Sequence, residues 1–170
     1  MLALDLGSGA NPVNAEGMTM VHLDLVEGPK VSLVCDLNNG IPTPSNIFDV
    51  VFALDVIEHL QSVVEIMNEM HRVLIPGGKA YIRVPLWGSF DHQTDPTHVR
   101  GFTEQSFDFF DDSTEFGLQN GQLYTPHRWE ILKKDLNTTG GSLCLEMEAL
   151  KPNIPDGWRS RWALDPRSDQ

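Results

Sequence analysis

The chain has 170 residues, of which 41% are apolar and 21% charged, a composition typical of a folded protein of one domain. The formal net charge is −12, from 24 acidic and 12 basic residues, and the basic residues form no cluster. Binding to nucleic-acid backbones or anionic membranes needs a cationic face, so we expect neither as a partner.

Cysteine usage and the lack of long apolar runs narrow the class further. Cys35 and Cys144 stand far apart, with no CxxC pair, so neither a disulfide framework nor a zinc site is expected. The N-terminus lacks the positive region and cleavage site of a signal peptide. No apolar run approaches the ~18–20 residues that span a bilayer. These features favour a soluble protein of the cytoplasm.

Five short apolar runs predict buried strands, and they cover residues 2–6, 20–24, 31–35, 48–54 and 78–84. An acidic residue marks the end of each of the first four: Asp5, Asp24, Asp36 and Asp55. Ligands bind at the carboxyl ends of strands in open α/β sheets, so these carboxylates are expected to line one binding edge.

Apolar residues three and four apart predict one long helix over residues 62–74, ended by Pro76 and Gly77. His71 and Arg72 of this helix are expected to face solvent.

Two further elements are predicted towards the C-terminus. A second helix is predicted over residues 104–110, with Thr103 as its N-cap. Residues 128–135 and 143–150 are predicted to pair as a hairpin through the turn residues at 137–142.

The connections between the first four strands are short or rich in Pro and Gly, whereas a crossover helix needs about a dozen residues or more. One face of the sheet is therefore expected to be thinly covered. Trp158 and Trp162, which neighbour Arg residues, are candidate interface anchors. Together these features predict a homodimer.

The turn after the first strand reads Gly7-Ser8-Gly9-Ala10-Asn11-Pro12. Its glycines allow the backbone to approach a ligand closely. Pro12 stands where the dinucleotide fingerprint has its third glycine, which disfavours a nicotinamide-dependent oxidoreductase. Asp24, at the second strand end, can accept hydrogen bonds from both hydroxyls of a ribose.

Segments 2–12, 21–27, 34–37, 48–60 and 72–85, about half of the chain, resemble class I S-adenosylmethionine-dependent methyltransferases in order and spacing. Within that family, the chain resembles the small-molecule, type 11-like group. The resemblance implies a Rossmann-like α/β sheet, mostly parallel, with an antiparallel C-terminal hairpin and reduced crossover helices. It also implies S-adenosylmethionine as cofactor and S-adenosylhomocysteine as product.

The resemblance further implies the residues that bind the cofactor. Gly7 and Gly9 are expected to contact the cofactor, Asp24 to bind its ribose, and Asp36 and Leu37 to bind its adenine. Asp5 is expected near the methionine amine, and Asp55 beside the methionine portion. A carboxylate-lined pocket suits a cofactor whose sulfonium and ammonium are both cationic.

The family relationship also narrows the reaction. The stretch Asp55-Val56-Ile57-Glu58 replaces the Asn/Asp-Pro-Pro-Tyr/Phe motif that accompanies methylation of nucleobase amines. The resemblance therefore implies in-line methyl transfer to O or N of a small molecule, in which positioning contributes much of the catalysis. The alternative is a non-catalytic, cofactor-binding partner or regulatory subunit.

The segment from Trp87 to Thr103 is rich in His and Asp, and three interpretations of it stay open. In the first, His92 or His98, with His59, is a general base. In the second, Asp91, His92, Asp95 and His98 bind a divalent metal. In the third, Asp95 and Thr97 cap a turn, and His98 and Arg100 pair with carboxylates to hold a lid.

These expectations describe a single domain over residues 1–170. It comprises a cofactor-binding half (1–85), a lid and substrate segment (86–127), a closing hairpin (128–151) and an irregular tail (152–170).

Overall fold

The computed structural model describes residues 1–152, which contain seven strands. They are β1 (Leu2–Leu6), β2 (Thr19–Asp24), β3 (Leu33–Val34), β4 (Phe48–Leu54), β5 (Leu74–Pro85), β6 (Arg128–Asn137) and β7 (Ser142–Leu150). They form one sheet in the order β3-β2-β1-β4-β5-β7-β6. The first five strands are parallel, β7 is antiparallel to β5, and β6 and β7 form the closing hairpin. This topology confirms the predicted sheet.

Within the described part of the chain, three α-helices accompany the sheet: α1 (Val63–Val73), α2 (Phe90–Thr94) and α3 (Glu115–Asn120). The predicted long helix is confirmed as α1, and the Ser62 hydroxyl caps it by accepting from the Glu65 amide at 3.2 Å. The helix ends at Val73, and β5 begins at Leu74, four residues before the predicted strand start. No helix within residues 1–152 has both the length and the hydropathy to cross a membrane.

The prediction of an α-helix over residues 104–110 is wrong. Successive i to i+3 hydrogen bonds, such as Ser106 N to Thr103 O at 3.1 Å, form turns that end in a 3₁₀ helix at Asp108–Phe110. Phe107 and Phe110 are both buried. A three-residue repeat aligns these two rings, which favours the tighter helix here.

His71 and Arg72 also depart from their expected exposure. His71 is buried, and Arg72 donates to the carbonyl oxygens of Ile41 and Thr43 at 2.7 and 2.8 Å. Both side chains stabilise α1 against neighbouring loops instead of facing solvent.

The two faces of the sheet differ in their cover. On one face, Leu6, Leu23, Ala53 and Ile82 are buried in the core that α1 completes. On the other face, His22, Phe52 and Tyr81 stand in one row with the buried Asp5 and are only half-buried.

The connections β1–β2 and β2–β3 contain no helix, and β3–β4 contains only a 3₁₀ turn at Leu37–Asn39. This confirms the predicted shortage of crossover helices. Trp158 and Trp162, proposed above as interface anchors, lie outside the described residues.

Candidate active site

The turn after β1 requires its two glycines for conformational reasons. Gly7 and Gly9 have φ values of +63° and +53°, which favour glycine. A Cβ on Gly7 would lie 2.6 Å from Cγ2 of Val56, the second residue after β4. The Ser8 amide donates to the carbonyl of Leu23 at 3.0 Å. The turn is therefore held close to the ends of both neighbouring strands.

Asp24 lies directly at this turn. Its carboxylate accepts from the Gly9 amide at 2.6 Å and from the Val26 amide at 2.9 Å. Asp5 is buried, and its carboxylate accepts from the Val13 amide at 2.8 Å and contacts His22 Nδ1 at 3.0 Å. The internal contacts of Asp5 hold the first connection against β2, whereas Asp24 is half-buried at the strand end.

The other predicted cofactor residues extend the same edge. Asp36 is exposed and caps the turn that follows β3 by accepting from the Asn38 amide at 2.9 Å. Leu37, beside it, is buried in the core. Asp55 adopts a φ of +56°, and its carboxylate accepts from Arg83 Nε at 2.9 Å. The structure thus brings Asp24, Asp36 and Asp55 to the carboxyl ends of β2, β3 and β4, along one edge of the sheet.

This edge fits the S-adenosylmethionine that the resemblance implies. The turn is open at Gly9, where an added Cβ would have the Gly7 carbonyl oxygen at 3.9 Å as its nearest neighbour. The buried hydroxyl of Ser8 has no hydrogen-bond partner within the described chain. Acidic side chains at successive strand ends suit the cationic groups of the cofactor. A nucleoside would be bound from the β2 and β3 ends, and the methionine portion would lie towards β4.

A cavity of about 880 Å³ opens beside Asp55. Four parts of the chain line it: the β4 end (Asp55, Glu58, His59), β5 (Arg83, Pro85), the segment around α2 (Phe90, Asp91, Thr94, Asp95, Pro96, His98) and the hairpin turn (Gly140, Ser142). The sequence analysis missed Glu58, Arg83 and the hairpin residues. Glu58 could have been predicted because it precedes His59 in the sequence. No sequence pattern indicates that the distant hairpin turn reaches this cavity.

The segment between α2 and residue 102 docks on the loop that follows β4. The Val99 amide donates to the Glu58 carbonyl at 3.0 Å, and Arg100 donates to the carbonyls of Leu60 and Gln61 at 3.0 and 2.6 Å. These contacts agree with the lid interpretation. The expectation that Arg100 pairs with a carboxylate is wrong, because its recorded partners are backbone carbonyls.

Two of the three predicted catalytic histidines line the cavity. The rings of His59 and His98 meet edge to face, with centroids 4.7 Å apart. His98 Nε2 lies 3.9 Å from Glu58 Oε1 and 3.8 Å from Asp95 Oδ2. His92 is not among the lining residues. Its ring lies against Trp87, and its Nδ1 is buried without a partner in the described chain.

Glu58 is the most unusual acid of the site. Its residue is 1% exposed, and its Oε2 has no hydrogen-bond partner among the described residues. Burial raises its pKa to about 7, and the neighbouring charge of Asp55 adds to the increase. A carboxylate so placed favours a ligand that brings a positive charge or a proton.

The residues of the metal interpretation do not converge as predicted. Of the four predicted ligands, Asp95 and His98 form the pair in which a carboxylate lies near a ring nitrogen. Asp91 and His92 do not join them. Within the described chain, one ligand atom each of Glu58, His59 and His98 lies within 4.8 Å of the others.

Comparison with known protein families identifies a methyltransferase domain. Residues 4–82 match the family model described as a methyltransferase domain, Methyltransf_11. The biotin biosynthesis bifunctional protein BioHC of Cellvibrio japonicus is 32% identical over 93 residues, which cover 46% of this chain. The matched region spans 18% of that relative, so only a small part of the larger protein is compared.

Solved structures share the architecture at low identity. The methyltransferase in a complex with the Haloferax volcanii Trm112 activator has a TM-score of 0.64, with 14% identity and coverage of 88% of this chain and 83% of that one. An Archaeoglobus fulgidus SAM-dependent methyltransferase has a TM-score of 0.62, 14% identity and coverage of 86% and 85%. The [4+2]-cyclase SpnF also reaches 0.62, with 14% identity and coverage of 90% and 75%.

The strand order, the glycine turn with its acidic strand ends, and the family match over residues 4–82 lead to one assignment. The chain contains a class I S-adenosylmethionine-dependent methyltransferase domain, and S-adenosylmethionine is its cofactor.

Proposed function

We propose that the chain transfers a methyl group from S-adenosylmethionine to an oxygen or nitrogen of a small molecule. The observation that carries this proposal is the cavity beside Asp55, which adjoins the cofactor edge and is lined by two imidazoles and a buried carboxylate. The bound cofactor supplies an electrophilic methyl group, and the chain positions the acceptor in line with it.

The residues divide into two groups. Asp5, Gly7, Gly9, Asp24, Asp36, Leu37 and Asp55 form or support the cofactor edge. His59 and His98 are the candidate general bases, because both line the cavity and their ring nitrogens lie near Glu58. His92 acts through position: its carbonyl accepts from His98 Nδ1 at 3.2 Å and so orients that ring.

Calorimetric titration with S-adenosylhomocysteine tests the cofactor edge. We expect Asp24→Asn to weaken binding at least tenfold, because the carboxylate that would accept from the ribose hydroxyls is lost. Glu16→Gln, an exposed acid in the first connection, is the matched control and should bind like the parent chain. Binding of NAD in place of S-adenosylhomocysteine would contradict the proposal.

The base assignment needs a separate measurement. His98→Ala should lose at least a hundredfold in methyl transfer while it keeps its affinity for S-adenosylhomocysteine, since general-base catalysis contributes roughly 10²–10⁴-fold. Retained turnover in both His98→Ala and His59→Ala would remove these imidazoles from the mechanism.

A cofactor-binding role without methyl transfer, as a non-catalytic partner or regulatory subunit, is the second candidate. The cyclase SpnF shares the fold but is named for another reaction, so the fold alone does not establish methyl transfer. The non-catalytic role predicts tight binding of S-adenosylhomocysteine without methyl transfer to any acceptor. The large cavity with its imidazoles favours an enzyme over this alternative.

A further inference from the structure

The hydrogen bonds of His98 and His59 fix which ring nitrogen of each neutral imidazole carries the hydrogen. His98 Nδ1 contacts the His92 carbonyl at 3.2 Å, and a carbonyl only accepts, so Nδ1 carries the hydrogen. The Thr97 hydroxyl donates to Asp95 at 2.6 Å, so it accepts from His59 Nδ1 at 2.9 Å. In their neutral forms both rings therefore have their lone pair on Nε2.

Carboxylates lie near these lone pairs, and no hydrogen-bond donor to them is found among residues 1–152. His98 Nε2 lies 3.9 Å from Glu58 and 3.8 Å from Asp95, too far for a hydrogen bond. Glu58 Oε2 is buried and lacks a partner within the described residues. Acceptors that converge without a donor leave a place for a ligand that donates several hydrogen bonds.

The spacing of the acceptors shows which small cations fit between them. An ammonium nitrogen with acceptors at hydrogen-bond distance separates them by about 4.6 Å. A tetrahedral metal ion with short coordinate bonds separates its ligands by about 3.4 Å. One ligand atom of each of Glu58, His59 and His98 lies within 4.8 Å of the others, and His98 Nε2 lies 3.9 Å from Glu58 Oε1. The 3.9 Å separation falls between the two values, so the spacing alone admits a small cation of either kind.

Charge around the cavity favours a cationic ligand over a neutral one. Four carboxylates line it, those of Asp55, Glu58, Asp91 and Asp95, against the single guanidinium of Arg83, which is already paired with Asp55. A cationic acceptor would offset the buried charge of Glu58, whereas a neutral alcohol would not.

We propose that Glu58, His59 and His98 bind the protonated amine of the methyl acceptor, so that the chain is an N-methyltransferase for small aliphatic or benzylic amines. This inference rests on the proposed function and specifies its acceptor. The ammonium donates to Glu58 and to the two Nε2 atoms, and one of these imidazoles takes a proton from it. The new N–C bond then forms as the S–C bond breaks. The electron pair of the S–C bond stays on sulfur, which gives S-adenosylhomocysteine and a protonated N-methylamine product. The imidazolium then passes its proton to solvent.

The test uses pairs of probes that differ at the reacting group: benzylamine against benzyl alcohol, and putrescine against 1,4-butanediol. Affinities are measured by calorimetry on the full chain, with and without S-adenosylhomocysteine, and labelled methyl transfer is followed with the same probes. We expect at least one amine to bind tenfold or more tightly than its alcohol at pH 8, and to be the methylated member of the pair.

Variants show whether the preference arises at the proposed site. Glu58→Gln keeps the shape of the side chain but removes its charge, so the amine preference should fall at least tenfold while affinity for S-adenosylhomocysteine stays unchanged. Glu65→Gln, an exposed acid in the first turn of α1, is the matched control and should keep the preference. Thermal unfolding of each variant verifies that it folds.

Several outcomes overturn the inference. No preference for the amine in either pair contradicts it, and so does a preference that survives in Glu58→Gln. Micromolar binding of Mn²⁺ or Zn²⁺ that His98→Ala abolishes assigns the cluster to a metal instead. In each of these cases bound S-adenosylhomocysteine leaves the cofactor proposal standing, whereas absence of that binding contradicts the proposed function itself.

Discussion

At the residue scale, His71 shows how tertiary packing changes a side chain that local sequence leaves undefined. Its ring is buried between His127, at a centroid distance of 4.6 Å, and Trp129, at 5.4 Å. Its Nε2 donates to the Leu150 carbonyl at 3.2 Å. Burial, with the nearby ammonium of Lys151, lowers its pKa to about 4. The folded chain therefore holds a neutral imidazole next to the end of the hairpin.

This imidazole predicts a specific loss of stability in acid. Between pH 6.5 and 4 the unfolded chain protonates His71 and the folded chain does not, so stability falls as the pH decreases through this window. Its contribution from pH 7 to pH 5 is about 2 kcal/mol. Urea unfolding at both pH values should show a smaller loss in His71→Phe than in the parent chain.

His59→Gln is the matched control for that measurement, since it replaces a half-buried histidine at the cavity. It should keep the acid dependence of the parent. An unchanged dependence in His71→Phe would assign the acid sensitivity to other groups.

At the element scale, regular patterns were predictable and tertiary adjustments were not. Strands β1 and β4 follow their apolar runs, and α1 follows its three- and four-residue spacing. The strand predicted over residues 31–35 is reduced to Leu33–Val34, although the Cys35 amide still bonds to the Asp24 carbonyl at 2.9 Å. At this sheet edge one neighbour alone supplies pairing, so local sequence defines the strand ends poorly.

Helix α3 shows a second limit of sequence reasoning. Its six residues include Gly117, and the Thr114 hydroxyl that caps it accepts from the Gly117 amide at 3.0 Å. A Cβ on Gly117 would lie 2.0 Å from the Asp111 carbonyl, so this glycine permits close packing against the preceding turn. A glycine that reads as a helix breaker in sequence is here required by a tertiary contact.

The residues of the site also divide into those that local sequence predicts and those that depend on tertiary packing. Asp24, Asp36 and Asp55 were predictable, because they sit at strand ends and parallel strands share an edge. The partners of His98 were not, because its surroundings come from the loop after β4 and from Asp95. Contacts between segments forty residues apart depend on docking geometry that local patterns do not encode.

The lid segment offers a prediction about Arg100. Its guanidinium bonds to the Leu60 and Gln61 carbonyls, and such charge-assisted bonds contribute about 1.5–3 kcal/mol each. Arg100→Met keeps the aliphatic length but removes the donors. We expect the Val99 amide, bonded to the Glu58 carbonyl, to exchange with deuterium at least tenfold faster.

Lys133→Met, at an exposed position of β6, is the control and should leave exchange at Val99 unchanged. Equal protection of Val99 in Arg100→Met and the parent would show that the segment is held by other contacts.

At the scale of the whole molecule, the half-covered face of the sheet carries the remaining proposal. Phe52 and Tyr81 stack there at a centroid distance of 5.4 Å, on neighbouring strands. Crossover helices cover both faces of most parallel sheets, but this chain has no helix in its first two connections. We propose that a second copy of the chain covers this face, which agrees with the predicted homodimer.

A dimer of this kind predicts twice the 19.0 kDa chain mass by light scattering at micromolar concentration. A stable interface buries about 800 Å² on each partner, so a lysine at its centre should disrupt it. Phe52→Lys is therefore expected to be a folded monomer. Tyr124→Lys, at an exposed ring outside this face, should stay dimeric. Either the second copy or residues 153–170 could cover this face. A chain that ends at Pro152 should remain dimeric if the second copy covers the face without residues 153–170. A monomeric parent chain would contradict the proposal.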